Sequence, residues 1–146
     1  MKLFHVGDVL SLTTSRLVSP RGMDGIYAIL SFLTGDEVYT HQIPRIMDEC
    51  LPWMRALFPT LMADTADMAL RVAMLDAMLA AIPENGQRKR LMELMVVDWV
   101  ENTRLDLGMP QMIPVYELGA DMHTHIDPME EAMAMFGDVR VVKVVL

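Results

Sequence analysis

MDGIYAILSFLTGDEVYTHQIPRIMDECLPWMRALFP, residues 23–59, reads as two helices joined by a tight turn and a short extended piece. Asp24 is placed to cap the first helix, and Ile26, Tyr27, Ile29, Leu30 and Leu33 give it a broad apolar face. Gly35 stands where a helix C-terminus favours a residue that tolerates positive φ. Glu37 to Thr40 has the composition of an extended segment. Thr40 or His41 then leads into a second helix, with Ile43, Ile46, Met47, Cys50 and Met54 at helical spacing. Pro44 suits an early turn of that helix, and Pro52, further in, predicts a kink or a split.

Outward from this pair, residues 2–14 (KLFHVGDVLSLTT) are rich in β-formers and predict strand character interrupted near Gly7 and Asp8. Residues 15–22, with Pro20 and Gly22, predict a loop. Residues 64–82 predict a helix. Between Met68 and Ile82 its only polar residues are Arg71 and Asp76, set well apart on the helical wheel, so it has no clean wet face. Such a helix is central in the core or covered by a partner. Residues 87–103 predict an amphipathic helix with Leu91, Met92, Met95, Val96, Trp99 and Val100 on its apolar side. Residues 112–118 look extended, with Pro114 marking an edge strand or bulge. Asp127, Pro128 and Glu130 are the opening of a helix that ends at Gly137. The run VRVVKVVL at 139–146 reads as a strand buried on both faces. The expected fold is a single α+β domain over residues 1–146, in which a small, mostly antiparallel sheet of N- and C-terminal strands packs against a helical middle.

A chain of 146 residues can bury roughly 70% of its unfolded surface, and 53% hydrophobic content argues against disorder. Nothing approaches the ~20 apolar residues of a membrane span, and no basic-then-apolar leader opens the chain. The single Cys50 excludes an internal disulfide. The expectation is a soluble protein of the cytoplasm with no membrane partner. The net charge is −8, and residues 101–146 hold eight of the acids against three of the bases. That balance disfavours direct nucleic-acid binding and favours a basic protein partner. Methionine, at 16 residues, suits irregular cores and adaptable surfaces.

No stretch spells out a reaction, and an enzyme is not expected. Asp121, His123, His125 and Asp127 would share one side of an extended segment, the arrangement that suits a divalent metal. Asp127 is already committed to capping, and no further ligand motif completes the set, so neither metal nor cofactor is expected. Cys50 and His41, nine residues apart on one helix, stand ~13 Å apart at 1.5 Å per residue, too far for proton transfer. Arg88-Lys89-Arg90 at a helix start reads as a solvated basic face. Ser11, Thr13, Thr14, Ser15 and Ser19 read as strand and turn residues beside no phosphate loop.

GDVLSLTT at 7–14, DGIYAILSFLTGD at 24–36 and THQIPR at 40–45 resemble a family of small uncharacterised proteins from tailed bacteriophages and prophages. The resemblance covers the first third of the chain. No catalytic residues are assigned in that family, so it implies a setting, a phage accessory gene expressed in a bacterial host, and no site. Small acidic phage proteins often block host defence machinery. The functional expectation is therefore an anti-CRISPR-like inhibitor that binds a host protein or ribonucleoprotein defence complex. Its expected contact surface is the acidic segment carrying Glu117, Asp121, Asp127, Glu130 and Glu131, and its target is a basic, nucleic-acid-binding surface. The alternatives are a metal-dependent enzyme using Asp121, His123, His125 and Asp127, and a phage structural or assembly factor. Self-association as a homodimer is expected through the 64–82 helix, at Met74 and Met78. Deleting residues 139–146 should abolish cooperative thermal melting. A deletion variant melting cooperatively near the parent temperature would refute the buried strand.

Overall fold

Every residue of the helix α1, Val6–Thr14, is buried. The structure, a computed structural model, describes residues 1–137, and the strand expected at 139–146 lies outside the described residues. In chain order the elements are β1 (Lys2–His5), α1, α2 (Met23–Thr34), α3 (Ile43–Leu57), α4 (Ala66–Ala80), α5 (Arg88–Asp106), β2 (Met112–Val115) and α6 (Pro128–Phe136). Single 3₁₀ turns at Thr40–Gln42 and Pro59–Leu61 precede α3 and α4. The fold is α+β, with one antiparallel β1–β2 pair among the described residues.

The strand expected over residues 2–14 stops at His5, and the rest is helix. Propensity favoured extension there, but the local hydrogen bonding favours the helix. His5 Nδ1 accepts from the Gly7 amide at 2.9 Å and caps α1. Ser11 Oγ donates to the Gly7 carbonyl at 2.8 Å, and Thr14 Oγ1 to the Leu10 carbonyl at 2.5 Å. With its hydroxyls satisfied by its own backbone, α1 can be enclosed on all sides. It packs against α2, α3, α5 and β1. β1 then pairs with β2 so that Phe4 faces Ile113, both buried, and Leu3 faces Pro114. Pro114 occupies the edge position its missing donor requires.

A buried carboxylate ties α1 to α2. Asp8 accepts from Ser19 Oγ at 2.5 Å, and Arg21 Nη2 reaches its other oxygen at 3.1 Å. Ser11 Oγ also accepts the Val18 amide at 3.0 Å, which pins the loop from the other side. α2 enters directly over this cluster at Gly25. A Cβ there would fall inside 3.0 Å of both Ser19 Oγ and Asp8 Oδ1.

Several expected details change. The N-cap of α2 is Gly22, at φ 60°, and Asp24 lies inside the first turn. Gly35 ends the helix at φ 73°, as its position predicted. The extended piece at 37–40 is instead a loop closed by a 3₁₀ turn, in which Gln42 Oε1 accepts from the Tyr39 amide at 3.2 Å. α3 runs through Pro52 without a break. Pro52 and Asp48, whose carbonyl loses its helical donor, both lie on the exposed side. α4 is neither central nor enclosed: Met68, Val72 and Leu75 are buried, while Leu70, Met74 and Met78 face outward. On α5 the buried side is Trp99, Val100 and Thr103, and Leu91, expected inside, is exposed together with Leu94 and Val97.

Gly25→Ala should cost about 2–3 kcal/mol in urea unfolding, because the methyl group meets fixed polar atoms and not a pliable side chain. Gly86→Ala, with open space around the position, should stay within about 0.5 kcal/mol of the parent. Equal stability of the two variants would remove the proposed crowding at Gly25.

Candidate functional site

The segment between β2 and α6 has no regular structure, yet it is bonded to the body along its length. Trp53 Nε1 donates to the Tyr116 carbonyl at 2.8 Å, and the Leu118 amide to the Leu33 carbonyl at 3.0 Å. Gln42 Nε2 donates to the Ile126 carbonyl at 3.2 Å, and His41 Nε2 to the Pro128 carbonyl at 2.8 Å. Three of these donors come from α3 and its leading turn, and the fourth bond is accepted by the end of α2, so α3 and the end of α2 together fix the segment.

At the centre sits His123. Its Nε2 contacts Asp36 at 2.6 Å and its Nδ1 contacts Glu49 at 2.6 Å. His125 Nδ1 shares Asp36 at 2.8 Å. Arg45 closes the network, bonding Glu49 at 2.5 Å, Glu131 at 2.6 Å and the Thr124 carbonyl at 3.2 Å. Burial of the His123 ring opposes its charged form. The hydrogen bonds and charges of Asp36 and Glu49 outweigh that, so His123 is held above the ordinary imidazole value. For Asp36, burial acts to raise the pKa, and the hydrogen bonds from His123 and His125 overcome it, leaving the carboxyl below its ordinary range. With both ring nitrogens against carboxylates, the site favours the imidazolium over a wider pH range than a free imidazole does.

Of the residues expected at a partner surface, Glu117, Asp121, Asp127 and Glu130 are exposed. Glu131 is not: it is buried against Arg45, and its Oε2 has no hydrogen-bond partner among the described residues. The reason is the helical turn, which carries Glu131 inward beside Ala132 while Glu130 points out. Asp127 caps α6 as expected, accepting the Met129 and Glu130 amides at 2.9 and 3.1 Å. The metal arrangement of Asp121, His123, His125 and Asp127 does not form, because His123 and His125 turn onto Asp36 and Asp127 onto the backbone. Among the described residues no group of three or more His, Cys, Asp or Glu is placed to hold a metal ion. Cys50 is buried, and burial together with Glu49 pushes its thiol up to about 12, far from a nucleophile's range. His41 turns away to the Pro128 carbonyl. The hydroxyls of Ser11, Thr13 and Thr14 are helical and not strand groups, and Ser19 is a ligand of Asp8.

Met74 and Met78 lie exposed on α4. Arg88 and Lys89 stand on the rim of an open groove of about 940 Å³ between the 17–22 loop and α5, and Arg88 also donates to the Ile82 carbonyl. Asp36, Arg45 and Glu49 were missed by sequence reasoning. The Arg45–Glu49 spacing of four was visible as a helical ion pair, but Asp36 and Glu49 stand 87 and 74 residues from His123. No helix among the described residues is long and apolar enough to cross a membrane.

The pH dependence follows from the two shifts. Because its pKa is raised on folding, His123 contributes fully below the unfolded imidazole value of about 6.5, and the contribution is lost as pH rises through the folded value. Because its pKa is lowered, Asp36 contributes fully above the unfolded value of about 3.9 and loses its contribution as pH falls through the folded value. His123→Gln should therefore destabilise the chain more at about pH 5.5 than at about pH 8.5 in parallel urea titrations. A stability difference that does not vary with pH would rule out the charged clamp.

Residues 4–64 match a family described as a domain of unknown function (DUF7736). The match runs from β1 to the turn before α4, so it holds Asp8, Ser19 and Gly25 and also Asp36, Arg45 and Glu49. His123, His125 and Glu131, which meet the last three, lie beyond it. No curated protein and no solved structure matches the chain.

Proposed function

We propose that this chain is a protein-binding inhibitor whose acidic segment docks on a basic, nucleic-acid-binding surface of a host defence complex. The observation that carries the reading is the joint exposure of Glu117, Asp121, Asp127 and Glu130 on a segment held at both ends and at its middle. No Lys or Arg occurs from 117 to 131 to offset them. Carboxylates fixed in place lose little conformational freedom on binding, and a one-signed surface steers a basic partner into contact. The likeness of residues 7–14, 24–36 and 40–45 to small tailed-phage proteins supports the setting. A host protein or ribonucleoprotein complex that grips nucleic acid offers the matching charge, and the acidic segment then competes with phosphate for it.

Glu117→Lys/Asp121→Lys/Glu130→Lys leaves the Asp127 cap and the Arg45–Glu131 pair in place. Phage carrying it should plate roughly tenfold or more worse than the parent on a defended host, and equally well on a host lacking the defence system. Full plating of a well-folded triple variant on the defended host would refute the surface. Poor plating on both hosts would favour an assembly role in the particle.

A further inference from the structure

α4 and α5 lie antiparallel. Arg71, near the start of α4, bonds Asp106 at the end of α5 at 2.8 Å, and Trp99 Nε1 donates to the Arg71 carbonyl at 3.0 Å. Among the described residues their outer side carries exposed apolar side chains: Leu94 is 53% exposed and Met74 55%, and Leu91 and Met78 are exposed as well. A cleft of about 400 Å³ between the helices is lined by Met74, Met78, Met95 and Trp99, with Arg71, Asp98 and Asp106 also on its walls. Exposed apolar side chains grouped on two packed helices are characteristic of an interface.

The charges say which partner fits. Arg90, Leu94 and Asp98 follow one another at four-residue steps, so they form one ridge of α5, with each charge about 6 Å along the axis from Leu94. Arg90 and Asp98 are both exposed, and neither enters an ion pair among the described residues. A ridge that reads positive, apolar, negative is complementary to itself in one sense only. Crossed antiparallel at Leu94, two copies place each Arg90 against the other's Asp98. Crossed parallel, like charges meet. We propose that this face joins two copies of the chain about a two-fold axis at Leu94, with α5 packed antiparallel on α5 and the Met74–Met78 edge of α4 flanking the contact. Such an interface is isologous and closes at two copies. The adaptable methionines fill the cleft around the leucine seam.

Light scattering of the full chain at tens of micromolar should give twice the 16.5 kDa chain mass. Leu94→Glu should give the single-chain mass with an unchanged circular dichroism spectrum. Arg90→Asp and Asp98→Arg should each weaken dimerisation about tenfold, more so at low salt, and the double charge swap should recover to within about threefold of the parent. A parent of single-chain mass overturns the proposal, and a fall in its melting temperature on Leu94→Glu would show the face to be covered within one chain. A Leu94→Glu variant that stays dimeric, or a charge swap that recovers nothing, overturns it equally.

Discussion

Asp8 is the point on which the packing converges. Its carboxylate is fully buried in the first turn of α1, held by Ser19 and Arg21, and lies against the first turn of α2. A carboxylate so enclosed is costly unless its oxygens are occupied, and the occupying groups come from the loop joining the two helices. The positive ends of both helix dipoles fall near it. Satisfying Asp8 therefore fixes the 15–22 loop, the entry of α2 and the requirement for glycine at 25 together. With α1 so positioned, β1 is brought beside β2, and α3 and α5 close over the remaining faces of α1.

A second polar centre, around His123, has a different character. Its members come from the α2–α3 loop, from α3 and from the segment after β2, and it orders a stretch with no backbone ladder of its own. Side-chain charge takes the place that secondary structure holds elsewhere. The acidic residues on the outside of that stretch are thereby presented on a fixed support, and Glu131, identical in type, is spent on holding the support.

The methionines divide between the same two kinds of environment. Met54, Met62 and Met68 are buried in the core, where an unbranched side chain adapts to irregular gaps. Met74, Met78, Met129, Met133 and Met135 lie outside. Composition alone does not separate the two roles, because the same flexibility serves an irregular core and an adaptable surface.

The sequence by itself determined the helices α2, α3, α4, α5 and α6 to within a few residues, the stop at Gly35 and the cap at Asp127. Each of these rests on interactions within a few residues of chain, so local spacing carries the information. It did not determine that residues 6–14 are helical, because their β-branched content is overridden by a capping histidine and by enclosure from four elements. It did not show which side of α5 faces inward, since Leu91 and Trp99 look alike in a pattern of apolar residues and only the packing against α1 and α4 separates them. Nor did it show that His123 belongs to Asp36 and Glu49, or that Glu131 is buried while Glu130 is exposed. Those pairings join residues more than seventy positions apart, and their energies exist only once the chain has brought the charges within 3 Å.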